Sequence, residues 1–185
     1  MFSRIAPLAK TLTRPVMRPA TRSMVTIQEA MTAEDARKIS CYSGFDYSIK
    51  EDSMVIDAVQ KFAAFKVGCL VCVDDAGNLT GVISERDYIT KIALLGRKSS
   101  ETAVKEIATM SAKLITANVG DSVEACMEKM LAGDIRHLPL VNDSGDLEGM
   151  ISIKDLVKTT VMEKDETIKV LSNFALGKGG HFGSE

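Results

Sequence analysis

Two short motifs in the chain place a hydroxyl and a carboxylate at a spacing that suits nucleotide binding. Ser84-x-x-Asp87 and Ser152-x-x-Asp155 each follow a short apolar run and precede a stretch with helical periodicity. At a strand-to-helix junction the serine caps the helix, whose free N–H groups and partial positive charge suit a phosphate. The aspartate can accept two hydrogen bonds from a ribose diol, as acidic residues do in dinucleotide-binding folds. The spacing is also close to a capping box that only stabilises the helix, and capping and ligand binding can coexist.

Basic side chains near these motifs could bind the phosphate of such a ligand. Arg136 and His137 lie at the start of an apolar run in the second half, and an arginine can engage a phosphate through two nitrogens. The alternatives are a solvated surface charge for Arg136 and a half-buried strand residue for His137. Two further basic residues lie at matched positions beside the aspartates and could add charge: Arg86 and Lys154.

Both motifs belong to an internal repeat. Lys61–Asp87 aligns without a gap with Lys129–Asp155 at a constant offset of 68, and 11 of the 27 positions are identical. A repeat with only two copies is not a solenoid, so it predicts two small units related by a pseudo-two-fold axis. Each unit is too small to bury both of its faces, and we expect the two to share a core.

The hydrophobic pattern predicts the same elements in each copy. A helical stretch is followed by a short apolar strand, an Asp/Gly turn, a second strand and a helix that begins after the motif serine. One further strand is expected before the second copy, at Lys113–Thr116, with Ile39–Ser43 as its counterpart before the first. The order in each half is β-α-β-β-α, so the predicted fold class is α/β, of the α+β type. The predicted strands are Cys69–Val73, Leu79–Ile83, Leu138–Val141 and Leu147–Ile151.

The repeated segments Gly81–Asp87 and Gly149–Asp155 share a glycine, two apolar residues, a serine, two variable residues and an aspartate. With Arg136–Val141 as a second-strand signature, this pattern resembles a tandem pair of CBS domains, also called a Bateman module. The resemblance covers roughly residues 25–162. Within the family, the chain is most similar to the stand-alone mitochondrial CBS-pair type of plants.

The resemblance implies a function as well as a fold. It implies a pseudo-two-fold pair of CBS motifs that dimerises into a disc and binds an adenosine-containing ligand (AMP, ADP, ATP or S-adenosylmethionine). That ligand would be regulatory, not a catalytic cofactor, and would change the activity of a mitochondrial partner, for which the resemblance suggests the thioredoxin system. The implied ligand-binding residues are Asp87 and Asp155 for the ribose, Ser84, Ser152, Arg136, His137, Lys154 and Arg86 for the phosphate or sugar, and Ile115, Thr116 and Ala117 for the adenine.

The first 24 residues have a different composition from the remainder of the chain. They contain five basic residues and several hydroxyl residues, and no acidic residue occurs before Glu29. This composition is typical of a mitochondrial transit peptide, which predicts a location in the matrix; the alternative is a disordered basic arm. Removal of this segment would leave an acidic protein.

The other segments complete the predicted organisation. Ile168, Leu171 and Phe174 lie along one face of a last amphipathic helix, which could fold back on the module or dock on a second subunit. The predicted division is a transit peptide at 1–24, a first CBS motif with its lead-in at 25–100, a second CBS motif at 101–162, a C-terminal helix at 163–176 and a flexible tail at 177–185.

Several function classes are disfavoured by the composition. A net charge of -2 with 5% aromatic residues gives no drive toward nucleic acid. The longest apolar run, Val67–Val73, is far shorter than the ~20 residues that span a bilayer. Cys69 and Cys72 form a Cys-x-x-Cys, but they lie within a predicted strand and read as buried hydrophobic residues, with a thiol-redox module as a distant alternative. We therefore predict no catalytic residues, no metal site and no enzyme, and we keep a structural or assembly subunit with an unused pocket as the alternative function.

Overall fold

The computed structural model describes residues 30–176. The predicted transit peptide and the predicted tail lie outside these residues. Within them the chain forms two similar α/β halves, one around each copy of the repeat, as the sequence predicts.

The first half is a four-stranded mixed sheet with helices against it. Its strand order is β1-β2-β3-β4, in which β1 runs parallel to β2 and the other pairs are antiparallel. Helix α3 is a single turn that continues as a π-helical turn over Ile89–Ala93. In chain order the elements up to this point are α1 (Ala33–Lys38), which packs on the second half, β1 (Ser48–Lys50), α2 (Val55–Phe65), β2 (Cys69–Val73), β3 (Leu79–Ser84), α3 (Glu85–Tyr88) and β4 (Thr109–Met110).

The second half repeats this arrangement with three strands. The order is β5-β6-β7, with β5 parallel to β6 and β6 antiparallel to β7. The elements are β5 (Ala117–Asn118), α4 (Val123–Ala132), β6 (His137–Val141), β7 (Leu147–Ser152) and α5 (Ile153–Ala175).

Some residues with positive φ also occur in pairs that are 68 residues apart, which is the offset of the repeat. Gly77 and Gly145 both have φ of 88° in the turn between the two antiparallel strands, where a left-handed residue is required. Lys66 and Asp134, also 68 residues apart, both adopt positive φ in the connection that follows α2 and α4. The two halves are therefore close copies in backbone as well as in sequence.

Each half is completed by a segment that precedes the other half in the chain. Ala33 and Ala36 of α1 are fully buried in the core of the second half, although they precede the first repeat. Val104 and Ile107, in the linker before the second repeat, are buried in the core of the first half. Because the lead-ins are exchanged in this way, the two halves are held together across their pseudo-two-fold axis.

The structure differs from the sequence prediction at three places. The strand predicted at Lys113–Thr116 is wrong, because the strand is the two-residue β5 at Ala117–Asn118. The counterpart predicted at Ile39–Ser43 is wrong too: this stretch includes a 3₁₀ turn over Cys41–Gly44, and the parallel edge strand is β1. The helix predicted at 163–176 is not separate, since α5 runs unbroken from Ile153 to Ala175.

Candidate functional site

The candidate site is a cleft between the two halves with a volume of about 280 Å³. The first half contributes Ser84 and Asp87, and the second half contributes Ile115, Arg136 and His137. We call this cavity the Asp87 cleft. It lies near the lower end of the volumes of small-molecule sites, and it joins a carboxylate to basic side chains across the interface between the halves.

Asp87 is fixed at the start of α3 by a capping box. Its Oδ2 accepts hydrogen bonds from the backbone N–H of Ser84 at 2.9 Å and from the Ser84 hydroxyl at 2.6 Å. Its Oδ1 accepts from Lys91 Nζ at 2.7 Å. A carboxylate has about four acceptor positions, so Oδ1 retains capacity for a hydroxyl of a ligand. Capping is thus present, and the side chain is still 15% exposed toward the cleft.

Arg86 reaches across the opening of the Asp87 cleft to the other half. Its Nη1 lies 3.1 Å from Oδ2 of Asp134, and both side chains are mostly exposed. An exposed pair of this kind adds little stability and exchanges easily with other partners. Arg86 is therefore available for an anionic ligand at the edge of the cleft.

Arg136 and His137 form the opposite wall. The side chain of Arg136 is exposed, while its carbonyl accepts a hydrogen bond of 2.9 Å from the N–H of Ile153 at the start of α5. His137 is half-buried, and burial, aided by the charge of Arg136, lowers its pKa to about 4. At neutral pH the imidazole is uncharged, so the fixed positive charge on this wall belongs to Arg136.

The three residues that the resemblance implies for adenine contact lie in different places in the structure. Ile115 lines the Asp87 cleft, where its apolar side chain offers a surface for a flat ring. Thr116 lies outside the lining and its carbonyl accepts from Lys129 Nζ at 3.1 Å. Ala117 is 1% exposed and belongs to the core of the second half.

The second pair of motif residues lies away from this cleft. Ser152 caps α5 and Asp155 accepts from its N–H and hydroxyl, but Asp155 is fully buried and neither residue lines the cleft. Lys154 is exposed on α5, outside the lining. The structure therefore brings Ser84, Asp87 and Arg86 together with Arg136, His137 and Ile115, and leaves Ser152, Lys154, Asp155, Thr116 and Ala117 elsewhere.

Among the contributors that were not anticipated from the sequence are three polar residues: Thr109, Asp134 and Lys91. Thr109 lines the cleft from β4, and Asp134 lines it from the connection before β6. The repeat held a signal for Asp134, because it aligns with Lys66 directly after a predicted helix. Thr109 and Lys91 depend on contacts between elements, for which the sequence carries no local signal.

The four cysteines are all described and all free. Cys69 and Cys72 lie within β2, and burial raises the pKa of both thiols, that of Cys72 to about 12. Burial likewise raises the pKa of Cys126 to about 11. Such thiols are protonated at neutral pH, which agrees with their interpretation as small hydrophobic residues.

Among residues 30–176 no group of three or more His, Cys, Asp or Glu side chains is arranged to hold a metal ion. Over the same range no helix has the length and hydropathy that crossing a membrane requires.

Comparison with known proteins supports the architecture. The mitochondrial CBS domain-containing protein CBSX3 of Arabidopsis thaliana is 39% identical over 128 residues, which are 68% of this chain and 62% of that protein. The chain thus spans less than two thirds of this relative's length.

Solved structures of CBS proteins have the same fold. A protein with CBS domains from Burkholderia ambifaria superposes with a TM-score of 0.64 at 35% identity, covering 71% of this chain and 95% of the other. A CBS domain protein from Pyrobaculum aerophilum, solved in complex with AMP, gives a TM-score of 0.59 at 26% identity and covers 68% and 89%. The CBS domain family model matches residues 46–94 and 104–161, more than half of the chain, so the protein belongs to the CBS domain family and carries a pair of these domains.

Proposed function

We propose that the protein is a non-catalytic regulatory module that binds an adenosine-containing ligand in the Asp87 cleft. The observation that carries this proposal is the convergence of Asp87 from one half with Arg136 and His137 from the other. A carboxylate acceptor and basic donors on opposite walls match the two polar ends of a nucleotide, its ribose diol and its phosphate.

The ligand would lie across the interface between the halves. Asp87 Oδ1 would accept a hydrogen bond from a ribose hydroxyl, Ile115 would contact the adenine, and Arg136 would pair with the phosphate. His137 would donate to a phosphate oxygen through its neutral N–H or, once the phosphate raises its pKa, as an imidazolium. Among the four candidate ligands AMP is the first to test, because the Pyrobaculum aerophilum relative was solved with AMP.

Regulation would follow from the position of the cleft. A ligand that contacts both halves stabilises the arrangement of the halves in which these contacts form. The affinity for a partner that recognises this arrangement then increases or decreases. The Arg86–Asp134 pair, which also spans the halves, would be reorganised when an anionic ligand takes Arg86.

The proposed setting is the mitochondrial matrix. The composition of residues 1–24 and the mitochondrial relative from Arabidopsis thaliana support it. We propose that the module acts there as a homodimer on a protein partner such as thioredoxin. Exposed apolar side chains on α4 and α5, including Leu131, Val157 and Val161, support a contact between modules.

A structural or assembly subunit is the alternative. It is favoured by the fact that Asp87 already has partners in Ser84 and Lys91 without any ligand. In that case the aspartate would serve only as a helix cap, and the Asp87 cleft would have no occupant.

Calorimetric titration of the purified protein with AMP, ADP, ATP and S-adenosylmethionine distinguishes the two functions. A regulatory module binds at least one of them, and Asp87→Asn weakens the binding roughly tenfold or more because a hydrogen bond to a charged acceptor is lost. Asp57→Asn is the matched control, since Asp57 is also the third residue of a helix but lies exposed outside the cleft. No heat of binding with any of the four ligands would favour the structural role.

A further inference from the structure

The repeat generates a second pocket that is equivalent to the Asp87 cleft. Asp155 replaces Asp87, Ser152 replaces Ser84, and Val67–Cys69 takes the place of Ile135–His137. We call this region the Asp155 pocket. The Asp155 pocket differs from the Asp87 cleft because side chains of the chain itself lie in it. These side chains come from the segment that precedes the first repeat.

The carboxylate of Asp155 already holds a hydroxyl group that belongs to the chain. Ser40 Oγ donates to Asp155 Oδ2 at 2.9 Å, and it also lies 3.4 Å from the carbonyl oxygen of Met150. Ser40 is 4% exposed and Asp155 is 0% exposed, whereas the side chain of Asp87 is 15% exposed. A serine hydroxyl of the chain therefore binds this carboxylate, at the capping oxygen Oδ2 that also accepts from Ser152 and beside the oxygen that corresponds to Asp87 Oδ1.

The adjacent space is filled by an aromatic side chain. Tyr42 is 2% exposed and is packed in one cluster with Val67 and Cys69, the residues that replace Ile135 and His137 of the open cleft. Its ring also lies edge-on to His137, with the centroids 5.9 Å apart. Tyr42 therefore stands where the repeat would place a ligand.

The same lead-in segment also covers Gly149 of β7. The side chain of Arg37 passes directly over Gly149, so that a Cβ on this glycine would lie 2.5 Å from Arg37 Cδ. At the equivalent glycine of the first half, Gly81, the neighbour is the backbone of β4, which leaves the Asp87 cleft open beside Thr109.

The cation beside the aspartate is also absent from the second half. Lys91, which binds Asp87 Oδ1, aligns with Thr159, whose hydroxyl donates to the backbone carbonyl of Asp155. Asp155 Oδ1 is buried and has no hydrogen-bond partner among the described residues. The Asp155 carboxylate thus serves the packing of the chain and is not presented to solvent.

We infer that the side chains of Ser40 and Tyr42 fill the Asp155 pocket permanently. The protein therefore binds one adenosine-containing ligand per chain, and that ligand lies in the Asp87 cleft. This inference rests on the proposed function for its ligand. The occupancy of the Asp155 pocket by the chain itself is a separate claim, and it can be measured without any ligand.

The number of sites is measured by calorimetric titration of the full chain with AMP. One AMP per chain is expected; Asp155→Asn leaves the dissociation constant within about twofold, and Asp87→Asn raises it roughly tenfold or more. Two AMP molecules per chain would overturn the inference, and so would binding that survives Asp87→Asn but is lost in Asp155→Asn. Because Asp155→Asn removes a buried charge and can impair folding, Ser40→Ala is titrated beside it and is also expected to bind one AMP.

The occupancy of the Asp155 pocket by Ser40 and Tyr42 is tested by amide hydrogen exchange of the ligand-free protein. The amide of Tyr42, which donates to Ser40 Oγ at 3.2 Å, is expected to exchange as slowly as that of Leu70 in β2. Ser40→Ala is expected to speed this exchange, while Ser144→Ala, at an exposed position in the turn between β6 and β7, is expected to leave it unchanged. Rapid exchange at Tyr42 in the unmodified protein would overturn the inference. If AMP, ADP, ATP and S-adenosylmethionine all fail to bind while Tyr42 is protected, the proposed function fails and the occupied pocket stands.

Discussion

Lys91 Nζ lies 2.7 Å from Asp87 Oδ1, and Thr159 stands at the position of this lysine in the second half. Lys91 reaches the carboxylate from one turn further along the chain, within the π-helical turn that continues α3. It also donates to the carbonyl of Ile107 in the linker. One ammonium group therefore orients the proposed ribose acceptor and ties it to the segment that connects the two halves.

We predict that Lys91→Met weakens AMP binding about fivefold, because Asp87 loses the contact that holds its carboxylate in place. The free energy of unfolding is expected to fall by about 1 kcal/mol, since the ion pair is partly buried and the carbonyl of Ile107 also loses a donor. Calorimetric titration and urea unfolding measure the two effects. Lys98→Met is the control, because Lys98 forms a similar but exposed pair with Glu101. Equal effects of the two substitutions would contradict the role given to Lys91.

The neutral imidazole of His137 predicts a dependence of stability on pH. Its pKa is lowered to about 4 in the folded protein from an ordinary value of 6.5. Between these values the unfolded chain binds a proton that the folded chain does not, so stability falls as the pH falls from 6.5 toward 4. We expect a loss of about 3 kcal/mol over this window, measured by urea unfolding at a series of pH values.

The variant that tests this assignment is His137→Gln, which is expected to flatten the pH dependence above pH 4.5. Below that value carboxylates whose pKa is lowered by folding, such as Glu34, begin to bind protons in the unfolded chain, and this adds a further loss of stability. An unchanged slope in His137→Gln would assign the effect to another group.

The repeat accounts for much of what the sequence could predict. The strands at Cys69–Val73 and Leu79–Ile83 and their copies follow from apolar runs separated by Asp/Gly turns, and they are confirmed within one residue. The short edge strand of the second half was missed, because two residues give no periodic pattern and β5 is defined by its pairing with β6.

The sequence indicates that the two copies differ, since Arg136 and His137 replace Gly68 and Cys69, but it does not say which motif aspartate these basic residues accompany. Asp87 and Asp155 stand in nearly identical local contexts, and both form the capping box that the spacing predicts. What separates them is Ser40, which is 115 residues from Asp155 in the chain and reaches it only through the exchange of lead-in segments. A contact between residues so far apart in the chain cannot be predicted from the local hydrophobic pattern.

Gly81 and Gly149 are equivalent in the repeat, yet their replacement by alanine is expected to have different costs. A Cβ on Gly81 would lie 2.5 Å from the carbonyl oxygen of Thr109, which is backbone and can move only if β3 and β4 separate. A Cβ on Gly149 would meet the flexible end of Arg37. We predict that Gly81→Ala lowers the free energy of unfolding by about 2 kcal/mol and Gly149→Ala by less than about 1 kcal/mol. Urea unfolding of both variants measures the difference, and equal losses would contradict it.

The burial of three of the four cysteines predicts how the thiols react. Cys41 is exposed, whereas Cys69, Cys72 and Cys126 are buried. Burial raises the pKa of all four thiols, so accessibility and not pKa separates Cys41 from the others. An excess of a disulfide reagent such as 5,5′-dithiobis(2-nitrobenzoate) is therefore expected to modify one thiol per native chain quickly and the others only after unfolding. Cys41→Ser is expected to abolish the fast phase, and Cys72→Ser serves as the control that retains it. A fast reaction of Cys69 and Cys72 in the folded protein would contradict their burial and support a thiol-redox function, because a thiol must be accessible to exchange with a disulfide.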